Sequence, residues 1–195
     1  KVRWTANLAE LAEAEKSLLG DTLMIALHVA YIGPFSYPYR QDVINKLIKK
    51  CETEQIQISE NFILENIATE PVTLREWQVN GLPQDALSKQ NGVLVTLSHR
   101  WPLLIDPQGQ GRKWLLESSG IKIIRCDASN LSLQIENAIK VGSPVLVEDV
   151  GEILDPGLQF ILSPKLQKQS GQLMIAVGDK WIPFDPQFRL YLTTK

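Results

Sequence analysis

The sequence predicts an α/β fold: a three-layer αβα core around a parallel sheet, preceded by a helical lead-in and carrying a β-hairpin insert. Three observations carry this. From Gly92 onward short β-rich runs alternate with short helical patterns, the signature of βαβ units. The first 67 or so residues are instead patterned mostly as helix. Near the end, Leu173–Val177 and Trp181–Phe184 flank Gly178-Asp179, as in a hairpin.

In order, Leu8, Leu11, Ala12, Leu18 and Leu19 fall roughly on one helical face, which a first helix would bury, with Gly20 as its stop. Asp21 is placed to cap a second helix running through Ile32, broken by Gly33-Pro34, and a third covers Arg40 to Lys50. Pro71 to Gln90 reads as a connecting segment marked by Gly81, Pro83 and Asp85. This division puts a lead-in without a core of its own at 1–90 and the αβα core at 91–195. In the core, Pro102–Ile105 is the first strand, followed by a helix over Arg112–Ser119 that Gly120 stops. Ile121–Arg125 is the second strand, Asn130–Val141 a helix ended by Gly142, and Val145–Glu148 the third strand. Asp155-Pro156 supplies a cap and a first-turn proline for a further helix that Pro164 divides, and Phe188–Thr193 is the last strand.

Composition narrows the function classes. Twenty basic against 22 acidic residues give a net charge of -2 without blocks of one sign, which excludes a nucleic-acid footprint. The longest apolar run, Leu23–Ile32, contains His28 and is far shorter than the roughly 20 residues that span a bilayer. Cys51 and Cys126 lack the spacing of a zinc site or a disulfide framework, so no metal site is expected and a reducing compartment is the default.

The chemistry-bearing segment follows the first strand: Asp106-Pro107-Gln108-Gly109-Gln110-Gly111-Arg112-Lys113 stands where a nucleotidase places its GxxxxGK[ST] phosphate loop. In such a loop backbone amides close on the phosphates, a lysine reaches them and a hydroxyl holds Mg²⁺. Gly111 keeps its place, but Asp106 takes the first glycine slot, Arg112 the lysine slot and Lys113 the hydroxyl slot. Shifting by one residue aligns Lys113 and loses both glycines and the hydroxyl. A carboxylate at Asp106 also repels phosphate. The third strand ends in Glu148-Asp149, the reverse of the Asp-Glu order that binds Mg²⁺ and orients water. Thr193 and Thr194 occupy the position of a γ-phosphate sensor, where β-propensity explains them equally well. His28 reads as a packed histidine, Ser98-His99 cannot form a nucleophile-base pair on one face, and the five tryptophans follow no stacking period.

Arg100-Trp101-Pro102-Leu103-Leu104-Ile105-Asp106-Pro107-Gln108-Gly109-Gln110 with Lys113-Trp114 resembles the dynein heavy chain, specifically the fifth AAA+ module of its motor ring. Lys1-Val2-Arg3-Trp4, Tyr31-Ile32-Gly33-Pro34-Phe35, Gly81-Leu82-Pro83, Leu154-Asp155-Pro156 and Phe188-Arg189-Leu190-Tyr191-Leu192-Thr193-Thr194-Lys195 extend the resemblance across the chain. The resemblance implies a P-loop NTPase-like αβα subdomain in an ATP-driven, minus-end-directed microtubule motor. It implies that Lys1–Leu19 continues the returning strand of the stalk, and that the lid and one further strand lie outside this sequence. Its partners would be the neighbouring modules and stalk of the same chain, with microtubules and accessory chains reached through the parent. The wording around Trp101-Pro102-Leu103 resembles axonemal dyneins, which implies a place in the cytoskeleton of the cilium. ATP and Mg²⁺ would serve other modules, leaving this one structural, with no catalytic residue and no cofactor. Two alternatives stay open. A module could still bind ATP or ADP through Gly109, Gly111, Arg112 and Lys113 with Glu148 or Asp149 on Mg²⁺, or an α/β domain could take another small molecule at the same strand ends.

Overall fold

The computed structural model describes the backbone of residues 2–195, and side chains there except at positions 2, 3, 5–7, 9, 10, 13 and 119. The chain divides into two compact units: residues up to Gln78 together with Pro83–Ser98, and Val79–Leu82 together with His99–Lys195.

The first unit is helical. Helix α1 (Val2–Leu27) runs into a π-turn at His28–Ile32, and α2 (Tyr37–Thr53), α3 (Leu64–Ala68), α4 (Pro71–Val79) and α5 (Ala86–Leu97) follow, α4 reaching the boundary of the second unit. Gly20 does not stop α1. A side chain there would overlap the Gln57 backbone carbonyl, so the glycine is needed for close approach of the 57–58 loop, not for a turn. Asp21 correspondingly lies inside the helix, accepting the Ser59 amide at 2.9 Å and the Ser59 hydroxyl at 2.5 Å. The expected burial of the early leucines is also reversed, since Leu8, Leu11, Leu18 and Leu19 are all exposed. Met24, Ile32 and Ile44 instead form a small core, so the lead-in does bury apolar side chains of its own. The segment expected to connect, 71–90, contains two helices; Asp85 caps α5 through the Ser88 amide, and helical texture continues to Leu97.

The second unit holds a four-stranded parallel sheet in the order β1 (Leu103–Ile105), β7 (Leu190–Thr194), β3 (Val145–Glu148), β2 (Lys122–Arg125). Helix α6 (Gln110–Ser119) links β1 to β2, and α7 (Leu131–Val141) links β2 to β3. Val145, Leu146 and Val147 are fully buried, as a central parallel strand covered on both faces requires. Ile135, Ile139, Leu158, Ile161, Phe188 and Leu190 complete the core, each buried aliphatic contributing about 1.5–3 kcal/mol. Trp101 stacks edge-on against Phe188 at 5.7 Å and donates its indole N–H to the Ile161 carbonyl at 2.8 Å.

Between β3 and β7, Asp155 caps a short 3₁₀ turn (Pro156–Leu158) that continues as α8 (Gln159–Leu162) and ends before Ser163-Pro164. The expected hairpin is β5 (Gln172–Val177) with β6 (Lys180–Pro183). A third antiparallel strand, β4 (Leu166–Gln169), joins it. Its four residues are all exposed, which is why no apolar alternation announces it, but Ser170-Gly171 at φ 51° and 82° is a tight-turn signal.

Candidate functional site

The parallel strands β1, β7 and β3 end side by side, so Asp106, Thr194 and Glu148-Asp149-Val150 surround one point at their carboxyl ends, where open α/β sheets place their ligand crevice. The loop from β1 turns into α6 at Gly109, whose φ of 72° is the left-handed conformation that glycine adopts without a Cβ penalty. At Gly111, an added Cβ would sit 2.8 Å from Leu104 Cδ2, so the helix packs against the strand it follows at glycine distance.

The amides that open α6 do not point into an empty crevice. Asp106 Oδ1 accepts the Gln110 N–H at 2.9 Å and Oδ2 accepts the Arg112 N–H at 2.8 Å. A carboxylate on a helix's first free N–H groups meets both their hydrogen-bond requirement and the positive end of the helix dipole. The repulsion expected between Asp106 and a phosphate is thus accompanied by direct occupation of donors that a phosphate would use.

The remaining predicted residues separate into those drawn together and those that are not. Arg112 extends from α6 to the end of β3, where its Nε forms an ion pair with Glu148 Oε1. Asp149, with φ 57°, lies 3.7 Å from Lys195 Nζ in an exposed ion pair. Lys113 runs beside Gly81, where an added Cβ would meet its Cε at 3.9 Å. Thr193 is buried and its carbonyl accepts the Val150 N–H at 3.0 Å, while the Thr194 carbonyl accepts the Asp106 N–H at 2.8 Å.

Arg125 and Asp127, at the end of β2, were not read as site residues. They form a two-point pair at 3.0 and 3.1 Å, and the bond to Arg125 holds Asp127 below the usual carboxylate range. Asp127, and more weakly Asp149 and Glu148, raise Arg125. The available signal was their position, Arg125 as the last residue of the second strand and Asp127 two residues beyond it. No group of three or more potential metal ligands occurs among the described residues. Away from the strand ends, His28 is fully buried in the π-turn, and burial followed by the Arg40 charge lowers its pKa to about 4. This agrees with a packed histidine.

The model of the ATP-binding dynein motor region matches residues 75–195. The whole chain is 41% identical over 198 residues to human dynein axonemal heavy chain 6, and 40% identical over 199 residues to mouse dynein axonemal heavy chain 2. It is 38% identical over 200 residues to the Chlamydomonas reinhardtii dynein-1-beta heavy chain of the flagellar inner arm I1 complex. The chain spans only 4 to 5% of the length of these relatives. With more than half of its length matched by that model, and with the β1–loop–α6 geometry in place, the chain belongs to the dynein motor region family.

Proposed function

We propose that this chain is a structural, non-hydrolysing AAA+ module of a dynein heavy chain, the fifth of the ring, which relays conformational change within an ATP-driven microtubule motor. The observation that carries this reading is the Asp106 carboxylate on the Gln110 and Arg112 amides, with the Arg112 side chain on Glu148. A nucleotide would have to displace a carboxylate from the loop and a guanidinium from the acid that should meet its metal. Neither slot of the loop offers a lysine and hydroxyl in the register that holds β- and γ-phosphates with Mg²⁺.

The exposed face of α1 supports the mechanical part. Trp4, Leu8, Leu11 and Leu18 fall at the four-three spacing of the a/d seam of a two-stranded coiled coil, with Glu15 as a polar interruption, and all five are exposed. That is what a segment continuing the returning strand of the stalk requires. Lys1, where the connection would begin, lies outside the described residues. Leu103 and Ile105 on the edge strand β1 are also exposed, which suits cover by a neighbouring module or strand. The names of the relatives, axonemal and flagellar, support the ciliary axoneme as the location, with neighbouring modules, microtubules and accessory chains as direct or indirect partners.

A second reading, weak ATP or ADP binding, is favoured by one feature: Gly109 keeps the left-handed turn that aims backbone amides at a phosphate. Thermal unfolding of a recombinant module extended through its lid separates the two. Ligand at 100 times its dissociation constant would stabilise by about 2.7 kcal/mol, a shift of several degrees. An unchanged midpoint with millimolar Mg-ATP and Mg-ADP is expected, and a concentration-dependent rise overturns the non-binding role.

A further inference from the structure

Four contacts at the strand ends form a closed circuit. The Asp106 carboxylate takes the Arg112 amide, the Arg112 guanidinium takes Glu148, Val150 N–H donates to the Thr193 carbonyl, and Asp106 N–H donates to the Thr194 carbonyl. Covalent chain closes the gaps between Glu148 and Val150 and between Thr193 and Thr194. The circuit passes through β1, α6, β3 and β7 in turn. Two of its links are backbone bonds that continue the sheet. The other two are made by side chains at positions that a nucleotide and its metal would bridge, an acid on the helix amides and a base on the strand-end acid.

We infer that Asp106 and Arg112 act together as an internal clamp that ties β1, α6 and β3 into one rigid body without any ligand. The clamp rests on the structural reading above and adds its means: the positions that ligand would join in a nucleotide-dependent module are joined here by the chain itself. Asp106 is a positioning residue. Its two oxygens serve two amides, so the helix start is fixed in both rotation and distance from the strand. Glu148, only 17% exposed at its side chain, needs the guanidinium beside it, since a largely enclosed carboxylate without a partner is costly. Gly111 permits the arrangement, because its missing side chain leaves Asp106 Oδ2 free to reach past it.

The test is hydrogen exchange, by mass spectrometry of the peptide covering 106–115, in the full-length heavy chain carrying this sequence. Asp106→Ala should raise exchange at the Gln110 and Arg112 amides about 10- to 100-fold, the loss of a hydrogen bond to a charged acceptor, with α7 (Leu131–Val141) unchanged. Asp106→Asn, which retains one acceptor oxygen, should raise exchange at one of the two amides only. Arg112→Gln should leave both amides protected and accelerate exchange in 148–150. Unchanged exchange at Gln110 and Arg112 in a folded Asp106→Ala chain overturns the clamp. Should that variant lose protection throughout, Asp106→Asn decides: wild-type protection at both amides overturns the clamp, and loss at one supports it. Nucleotide binding to the wild-type module would instead overturn the structural reading, and the exchange pattern distinguishes the two failures.

Discussion

At the carboxyl ends of the parallel strands Asp106, Arg112 and Glu148 satisfy one another and the backbone, whereas at the π-turn His28 is fully buried with neither ring nitrogen hydrogen-bonded. Arg40, also buried, spends its guanidinium on the Gly33 and Phe35 carbonyls and the Asn91 side-chain oxygen, leaving His28 only its repulsive charge. Both regions place polar groups where regular helix geometry is absent, at the start of α6 in one and at the π-turn that follows α1 in the other. One meets the demand with side chains chosen for it; the other tolerates a neutral, unsatisfied imidazole because the surrounding helices exclude water. The difference separates a site whose polar groups have been matched to each other from a position where packing alone decides.

The contrast predicts opposite responses to substitution. Arg40→Leu should cost the most, about 3–5 kcal/mol in urea denaturation, because it strands two carbonyls and an amide oxygen in a poorly hydrated turn. A cost below about 1 kcal/mol would show that water reaches the turn and would remove the contrast. His28 gives the next effect, through pH. Its folded pKa of about 4 lies below the unfolded value of 6.5, so the unfolded chain takes up a proton first and stability falls as pH drops from 6.5 towards 4. The loss by pH 5 is on the order of 2 kcal/mol, and His28→Leu should abolish it while leaving stability at pH 8 equal or higher. A pH profile identical in the two proteins would refute the buried, neutral imidazole.

At the strand ends the expected effects are smaller. Gly111→Ala gains helix propensity but crowds Leu104 and the Asp106 carboxylate, for a net loss of about 1 kcal/mol. A stabilised variant would mean that the loop has room the structure does not show. Arg112→Gln should change global stability least, by less than about 1 kcal/mol, because the glutamine amide still offers the enclosed Glu148 a donor and the Arg112 end of the pair is 45% exposed. A larger loss would make Arg112 a determinant of folding and not only of strand-end geometry.

The αβα core was legible because each of its signals is local. Gly120 and Gly142 stop their helices in the left-handed conformation, Val145–Glu148 forms its strand as read, and Asp155-Pro156 caps its turn. The helical unit was less legible. Gly20 has the same sequence appearance as a helix stop, and only the approach of the 57–58 loop, distant in sequence, gives it another purpose. The leucines of α1 have the spacing of a packed face, but the partner that would cover them is not among the described residues. At the loop, residue identities predict the departure from the GxxxxGK[ST] pattern, but not the contacts that Asp106 and Arg112 make in its place. That Asp106 turns back onto two amides depends on the left-handed turn at Gly109 and on bond directions that spacing does not encode.

The most direct measurement is titration calorimetry of the module extended through its lid with Mg-ATP and Mg-ADP to millimolar concentration. Only heats of dilution are expected, because the Asp106 carboxylate already holds the Gln110 and Arg112 amides and the Arg112 guanidinium holds Glu148. A saturable heat at one site per chain, reduced by substitution of Lys113 or Glu148, would contradict the non-binding role.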